Sequence, residues 1–518
     1  MKLLTAAQSR ELDRLSQHRH GIESYALMTR AGEAVADATA RRWPERIRAG
    51  VMVIAGRGNN GGDGMVAARR LAANGAQVRV ILLGSIEELR GDARRACDEW
   101  IGADRRVVEA TTERAVSSAI ADGAGVIIDA IFGTGLNAEV KGLARHAVEE
   151  INRATAVVTA VDIASGVNAD TGAIMGVAAQ ADLTITFGAA KFGHVSYPGA
   201  ACCGDLEVAD IGFAPAALAE LGATGCYLDR AEIAPLIRPR LANTHKGTYG
   251  HPLIVAGSRG KAGAALLASR SALRMGAGLV TAAIPDSVAA IVAAGQAELM
   301  TEAMPDLDGH FDGARTVARL ATLAASMSAL VVGPGIGVSN GTREIIAWLA
   351  DHPGSPPTPL VLDADGLNLL AQLGPARLKR SSRPTILTPH PGEMGRLLGA
   401  TAAEINADRI SSALRLAGLT GSHVLLKGNR SVIAGAGGEV CVNSSGNPGM
   451  ATAGMGDALS GMLGALMGQG LDPLDALKLG VYLHGFAADR VAARRGPVGY
   501  LAGDVIDELP AALAALQA

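Results

Sequence analysis

Aromatic rings are scarce in this chain: Phe, Trp and Tyr together make up 3% of its 518 residues. Ligand recognition must therefore rest mainly on backbone and polar contacts rather than on ring stacking. Charge of one sign is also missing, with 47 Lys and Arg against 50 Asp and Glu and a net charge of −3. That balance argues against nucleic acid or any other strongly charged macromolecule as a partner. Cysteines number only five, an odd count, and the adjacent pair Cys202 and Cys203 is poorly suited to bridging itself. A reducing, cytoplasmic setting is expected. No uncharged run can span a bilayer, because the longest, between Arg319 and Arg343, is broken by Gly333, Pro334, Gly335 and Gly337. No membrane partner is expected. The opening MKLLTAAQSRELDR has too short an apolar run for a signal peptide, and Thr5 with Gln8 reads as a capping box opening a helix. What the chain has in excess is glycine, 66 residues against a typical share of about 7%. The absence of a three-residue period excludes collagen, and 49% hydrophobic content excludes disorder. Many tight turns and close backbone approaches remain.

The length predicts two to four domains. Short apolar runs alternate with helical patterns: VMVIAG (51–56), a helix from about Met65 to Ala73, QVRVILL (77–83), GVIIDAIFG (125–133), AVVTAVDI (156–163), ADLTITFG (181–188) and LEVADIG (206–212). This alternation predicts a doubly wound, Rossmann-like parallel sheet, with ligands at the carboxyl ends of its strands. Residues 213–246 carry no strand pattern, which sets a domain boundary near residue 225. A second α/β grammar follows in HPLIVAG (251–257), LVTAAI (279–284), ALVVGPG (329–335), PLVLDADG (359–366), RPTILTPH (383–390), HVLLKG (423–428) and a hairpin at 431–442. The remainder is helical, beginning near Asp457, and the two halves show no sequence repeat.

GRGNNGGDG (56–64) satisfies the G-x-G-x-x-G phosphate fingerprint through Gly56, Gly58 and Gly61. The next strand, however, ends Leu82, Leu83, Gly84, Ser85 and offers no acidic residue for a ribose, which disfavours ordinary NAD-linked hydride transfer. Asn59, Asn60 and Asp63 add polar side chains to the loop. Asp129 and Asp162, the latter followed by Ser165, end two further strands and complete a polar crevice whose hard oxygens suit an alkali or alkaline-earth cation. These residues, in GNNGGDG, DAIFGTGL and VDIASGVNADTG, resemble the epimerase domain of bifunctional NAD(P)H-hydrate repair enzymes. The resemblance implies that Asn59, Asn60, Gly61, Gly62 and Asp63 contact the hydrated dinucleotide, together with Gly133, Thr134, Gly135, Leu136, Asn137, Ala138, Glu139 and the catalytic Asp162. It also implies a potassium ion held by Asn60, Asp129 and Ser165. Ala164 departs from the family's usual proline without removing a functional group.

In the second half, NPGMATAGMGDALSG (447–461) is a Gly-rich loop running into a helix, so that the backbone N–H groups of Gly454, Met455 and Gly456 can receive a transferring phosphoryl group. Asp457 beside them can accept the proton of an attacking hydroxyl. A Walker motif is absent, since Lys261 is followed by Ala262. GMGD resembles the anion hole and base of ribokinase-like kinases. KGTYGHPLIVAGSRGKAGAALL, GPGIG, VLDADGLNLL, TPHPGEMGRLLG and VLLKGNRSVI are similar to the ADP-dependent NAD(P)H-hydrate dehydratase domain of the same family. The likeness implies dinucleotide binding by Ala264, Gly337, His390 and Asp457, and adenine-nucleotide binding by Lys427, Gly428, Asn429, Arg430, Ser431 and Gly456. ADP as phosphoryl donor, magnesium, and a homo-oligomer of four or more copies are implied likewise. His484, Cys441, Cys202 and Cys203 read as packed residues. Two other functions are compatible with the residues alone. One is a ribokinase-like small-molecule kinase with a regulatory nucleotide-binding N-terminal domain; the other is a non-catalytic N-terminal ligand-binding module, against which the three carboxylates Asp63, Asp129 and Asp162 argue.

Overall fold

A computed structural model describes residues 1–222, 225–352, 357–381 and 383–517. By their internal packing these form two compact units, Met1–Gly225 and Cys226–Ala518.

In the first unit the strands of the seven-stranded sheet are Val51–Ala55 (β1), Val78–Leu83 (β2), Val107–Ala110 (β3), Val126–Ala130 (β4), Val157–Val161 (β5), Leu183–Phe187 (β6) and Asp205–Ala209 (β7). Their order is β3-β2-β1-β4-β5-β6-β7, with every neighbouring pair parallel. β1 and β4 are buried along their whole length, which explains why they read as unbroken apolar runs rather than alternating ones. The order reverses between β1 and β4, so the loops leaving these two strands diverge and open a crevice. Helix α1 (Ala6–His18) starts at Thr5, where the capping box with Gln8 is formed. Helix α2 (Ser24–Arg42) packs across α3 (Asn59–Ala73).

Two features differ from the sequence reading. Helix α3 begins at Asn59, inside the glycine loop, rather than near Met65. Three glycines in its first turns lower helix propensity and mask its start. They are required because a Cβ on Gly61 would lie 1.9 Å from the Gly56 carbonyl oxygen, and one on Gly64 would lie 2.5 Å from the Ala130 side chain. The edge strand β3 went unread: its middle residues are exposed, so it carries little apolar signal.

The second unit contains Pro252–Val255 (β8), Thr281–Pro285 (β9), Met300–Met304 (β10), Ala329–Val332 (β11), Leu360–Leu362 (β12), Thr385–Leu387 (β13), His423–Leu426 (β14), Val432–Ala434 (β15) and Val440–Val442 (β16). From β10 the order runs β10-β9-β8-β11-β12-β13-β14-β15-β16, parallel as far as β14 and antiparallel thereafter. The reversal here falls between β8 and β11. A short strand, Gly225–Tyr227, lies within the segment expected to hold none; its Cys226 and Tyr227 pair with Cys441 and Val442 of β16. Three residues are too short a run to show in the sequence. Helices α4 (Ala262–Arg274) and α5 (Met455–Gly468) cover the sheet closely: a Cβ on Gly464 would lie 2.2 Å from Val331. Among the described residues no helix is long and apolar enough to cross a membrane. All five cysteines are free, with Cys202, Cys203 and Cys441 buried.

Candidate active sites

In the first unit a cavity of about 820 Å³ opens at the β1/β4 reversal. Asn59, Asn60 and Asp63 of α3 line it, with residues 133–138 of the loop after β4 and Asp162 at the end of β5. Asp162 sits at φ 64°, a left-handed conformation that turns the chain sharply and aims its carboxylate inward. Its Oδ1 accepts from Thr186 Oγ1 at 2.9 Å and from Lys191 Nζ at 2.7 Å. Lys191 is 1% exposed and also donates to Thr186 Oγ1 and the Phe187 carbonyl. His194 Nδ1 accepts the Lys191 backbone N–H, so Nε2 carries the ring proton and donates to the Asp162 carbonyl at 2.8 Å.

These contacts set the charges. Burial alone would raise the Asp162 carboxyl, but the Lys191 ammonium outweighs it and holds the group below the usual carboxylate range. Burial and then Lys191 push the His194 imidazole down to about 4, so it stays neutral. Asp63 has no such partner: burial, then the charges of Asp162 and Asp13, push it well above the ordinary value.

Beneath the cavity floor Asp129 is fully buried. Its Oδ1 accepts from Ser165 Oγ at 2.6 Å and its Oδ2 from the Ser165 N–H at 2.8 Å. Burial raises its pKa even against these hydrogen bonds, and among the described residues no basic group faces it. The Asn60 Nδ2 is buried and has no hydrogen-bond partner among the described residues. A Cβ on Gly133 would sit 3.0 Å from Asn60 Oδ1 and 3.4 Å from Asp162 Oδ2, so Gly133 leaves a cradle between them.

The expected first-unit residues thus converge, with exceptions. Gly61 and Gly62 do not line the cavity; Gly61 packs on Gly56, and Gly62 on Met28. Glu139 turns away to Lys141, Nζ to Oε2 3.1 Å. Sequence reasoning missed Lys191 and His194. Their signal was a lone lysine and histidine in an otherwise apolar stretch, FGAAKFGHV, just after a strand end.

In the second unit Gly454, at φ 88°, turns the chain into α5 without a side-chain cap. The first-turn N–H groups therefore have no intrahelical acceptor and face the loop side. Gly456 keeps this approach open: a Cβ there would lie 3.4 Å from Lys427 Nζ and 3.7 Å from Asp363 Oδ2. Lys427 Nζ pairs with Asp363 Oδ1 at 2.7 Å and lies 3.9 Å from Glu393 Oε2. Ser460 Oγ donates to Asp363 Oδ2 at 2.7 Å. Burial opposes ionisation of Asp363, but Lys427 overcomes it and keeps the carboxyl below its usual range. Asp457 is pushed up to about 6 by burial and by Asp363, with Lys427 opposing. Glu393 is raised to about 7, again by burial first.

His390 caps the helix Pro391–Leu398 at the end of β13, its Nδ1 accepting from Gly392 N–H and its own N–H donating to Glu393. At the β8/β11 reversal, Gly337 N–H donates to Asp365 Oδ2 at 2.9 Å, and Lys261 Nζ donates to the same oxygen at 3.0 Å. Ala264 lies in the first turns of α4 beside Gly335. Gly428, Asn429, Arg430 and Ser431 form the turn between β14 and β15. Arg430 is spent internally, on the Ser444 carbonyl and the Tyr227 ring. Asp363 and Glu393 stand inside the VLDADGLNLL and TPHPGEMGRLLG motifs, and nothing in the sequence marks them as partners of Lys427, or Asp365 as the partner of Lys261. His484 is buried on Pro473–Arg495, and among the described residues its Nε2 has no partner.

Comparison with known proteins follows the same division. Residues 24–193 match the family described as YjeF-related protein N-terminus, and residues 252–511 match NAD(P)H-hydrate dehydratase. Bifunctional NAD(P)H-hydrate repair enzymes Nnr from Moorella thermoacetica and Thermofilum pendens are 41% and 39% identical, each over 100% of this chain and 97% of the relative. The Escherichia coli enzyme is 35% identical over 94% of this chain and 89% of its own. Among solved structures, ADP/ATP-dependent NAD(P)H-hydrate dehydratase from Bacillus subtilis, co-crystallized with ATP/Mg2+, is 28% identical, covering 56% of this chain and 99% of its own with a TM-score of 0.48. With its doubly wound first unit and its second α/β unit, the chain belongs to the family of bifunctional NAD(P)H-hydrate repair enzymes.

Proposed function

We propose that the first unit interconverts the R and S epimers of hydrated NADH and NADPH, and that the second dehydrates the S epimer with ADP, yielding AMP and phosphate. The observation that carries this reading is the pairing of two unlike carboxylates, one in each unit: Asp162 locked as an anion by Lys191, and Asp457 poised near neutrality. The hydrate carries a hydroxyl on nicotinamide carbon 6, next to the ring nitrogen. When that hydroxyl departs with the nitrogen's help an iminium cation forms, and water returning to either face gives either epimer. Asp162 suits this step because a permanent carboxylate anchors the hydroxyl and stabilises the adjacent cation. Asn59, Asn60 and the loop after β4 would hold the rest of the dinucleotide.

In the second unit Asp457 takes the proton of the same hydroxyl as its oxygen attacks the β-phosphorus of ADP, leaving AMP. The first-turn N–H groups of α5 and the Lys427 ammonium suit the charge that builds on the phosphoryl oxygens. Phosphate then leaves with the C6–O electron pair, the ring nitrogen supplies the push, and loss of the carbon-5 proton restores the reduced ring. Ala264, Gly337 and His390 would hold the dinucleotide, and the turn at 427–431 with Gly456 the adenine nucleotide.

Potassium fits the first unit: Asp129 is a buried carboxylate with no counter-charge, Asn60 has an unpartnered amide end, and Ser165 adds an oxygen. When bound, the ion supplies that counter-charge and orders the loops that carry Asn60 and Ser165. Magnesium would arrive with the nucleotide. Among the described residues no three His, Cys, Asp or Glu side chains gather into a metal site, so phosphate and water would supply most of its oxygens. A homo-oligomer in the cytoplasm belongs to the same reading, and size-exclusion chromatography with light scattering checks the assembly.

The deciding experiment supplies hydrated NADH and ADP and follows the return of reduced-nicotinamide absorbance. No recovery with ADP or ATP would overturn the proposal. Asp457→Asn should end dehydration while epimers still interconvert; Asp162→Asn should leave dehydration of pure S epimer intact while slowing use of the R epimer.

A further inference from the structure

Departure of the carbon-6 hydroxyl needs a proton, since hydroxide is a poor leaving group, and the groups already placed cannot provide it. Lys191 gives its three N–H bonds to Asp162, Thr186 and the Phe187 carbonyl. His194 gives its ring proton to the Asp162 carbonyl. Asp162 is an anion. Of the other carboxyls lining the cavity, Asp92 accepts from the Ser24 hydroxyl, which leaves Asp13 on α1 and Asp63 on α3; among the described residues neither has a hydrogen-bond or ion-pair partner. The one buried ammonium is already bound to Asp162, and burial disfavours ionising Asp13 and Asp63 beside it, so a proton resides on the set. Both are half-buried on the cavity wall, Asp13 on α1 and Asp63 on the second turn of α3, but burial and the neighbouring carboxylates hold the Asp63 proton far more tightly, so Asp13 is the one that can give its proton up and regain it.

We infer that Asp13 is the general acid of epimerisation, its carboxyl protonating the departing carbon-6 hydroxyl. This rests on the epimerase reading of the first unit, and Asp13 lies outside the residues, 24–193, that match the N-terminal family. The step balances without a redox partner. The C6–O bond breaks as the ring-nitrogen lone pair forms the C6=N bond, the Asp13 proton leaves with the oxygen as water, and Asp13 becomes a carboxylate. Water then adds to the opposite face and gives its proton to solvent, from which Asp13 is reprotonated. The charged and titratable groups that line the cavity with Asp13 are Asp162, Asp63, Asp92, Lys191 and Arg57 from other elements and Arg10, Arg14 and His18 on its own helix. Burial, reinforced by Asp162 and opposed by Lys191, raises Asp13 to about 6, close to where a proton donor works near neutrality.

The test uses the full-length protein with ADP and purified R or S hydrate of NADH, subtracting the enzyme-free rate. Asp13→Asn should slow NADH formation from the R epimer about 10²-fold or more while the rate from the S epimer is unchanged. The wild-type rate from the R epimer should decline as pH rises past the Asp13 titration, and that decline should vanish in Asp13→Asn. Asp13→Glu should restore part of the rate and shift the decline, which a purely structural role would not do. An Asp13→Asn protein that keeps its R-epimer rate, or keeps the same pH decline, would overturn the inference. Should Asp13→Asn impair both reactions by misfolding, Asp13→Glu decides alone, and an unshifted decline in it overturns the inference equally. Wild-type protein that converts no R epimer would instead overturn the epimerase reading itself.

Discussion

Replacing Lys427 with Met removes the ammonium that neutralises Asp363, whose side chain is 1% exposed, while keeping an apolar stem of similar length. Asp363 would retain the Ser460 hydroxyl but lose its counter-charge. Stripping one partner from a buried pair costs about 3–5 kcal/mol, and because the Lys427 side chain is 21% exposed the lower end applies. About 3 kcal/mol corresponds to a folded-to-unfolded ratio lower by about 10²-fold. The pH dependence fixes the cause. In the wild type Asp363 is held below its unfolded value, so it contributes stability above that value and loses it as pH falls through the folded one. In Lys427→Met only the Ser460 and Thr388 hydroxyls still oppose burial, so Asp363 rises, the folded state gains a proton and the penalty shrinks as pH falls. Urea unfolding at pH 8 and pH 5, read by hydrogen-exchange mass spectrometry on peptides covering Leu360–Leu362 and His423–Leu426, reports the second unit alone. The variant should be much weaker than wild type at pH 8 and closer to it at pH 5. A loss below about 1 kcal/mol, equal at both pH values, would show an exposed surface pair and refute the reasoning.

The rate of S-epimer dehydration should rise with an apparent pKa of about 6 as Asp457 becomes a base, and in Lys427→Met any residual activity should show that limb at higher pH, since the ammonium favours the ionised form. A pH-independent rate would remove Asp457 from the proton transfer. Gly133→Ala should weaken binding of the hydrate in the first unit, because the added methyl lies 3.0 Å from Asn60 Oδ1 in the cradle beside Asp162. The expected result is a raised KM for the R epimer with S-epimer dehydration unchanged. Exchanging potassium for tetramethylammonium should slow epimerisation and lower the thermal midpoint of the first unit, and Asp129→Asn should abolish both responses. Equal epimerisation in the two salts would count against the ion.

What was legible in the sequence is what local chemistry fixes. β1 and β4 could be read because strands buried on both faces are continuous apolar runs, and the Asn60, Asp162 and Asp457 loops because polar and glycine residues crowd a strand end or helix start. Lys191, Asp363, Glu393 and Asp13 could not be assigned a role. Each acquires it from a partner brought near by the fold: Lys191 from Asp162 across β6, and Lys427 from Asp363 at the end of β12. The early start of α3 was hidden for a related reason. Its glycines look like a loop in isolation, and only the approach of the Gly56 carbonyl shows why side chains are excluded.

The left-handed backbone of Asp162 has a consequence for how substitutions there should be interpreted. Asp and Asn tolerate φ near 64° far better than alanine or a β-branched residue does, because their short polar side chains bond locally. The position is thus constrained twice, by charge and by conformation. Asparagine removes the charge and keeps the turn, glycine keeps the turn and removes the side chain, and alanine disturbs both together. Only the first two separate electrostatic from geometric loss. A chain drifting at this site could lose catalysis and still fold through either of them, so an Asn or Gly here would mark a domain that had kept its shape after giving up its chemistry.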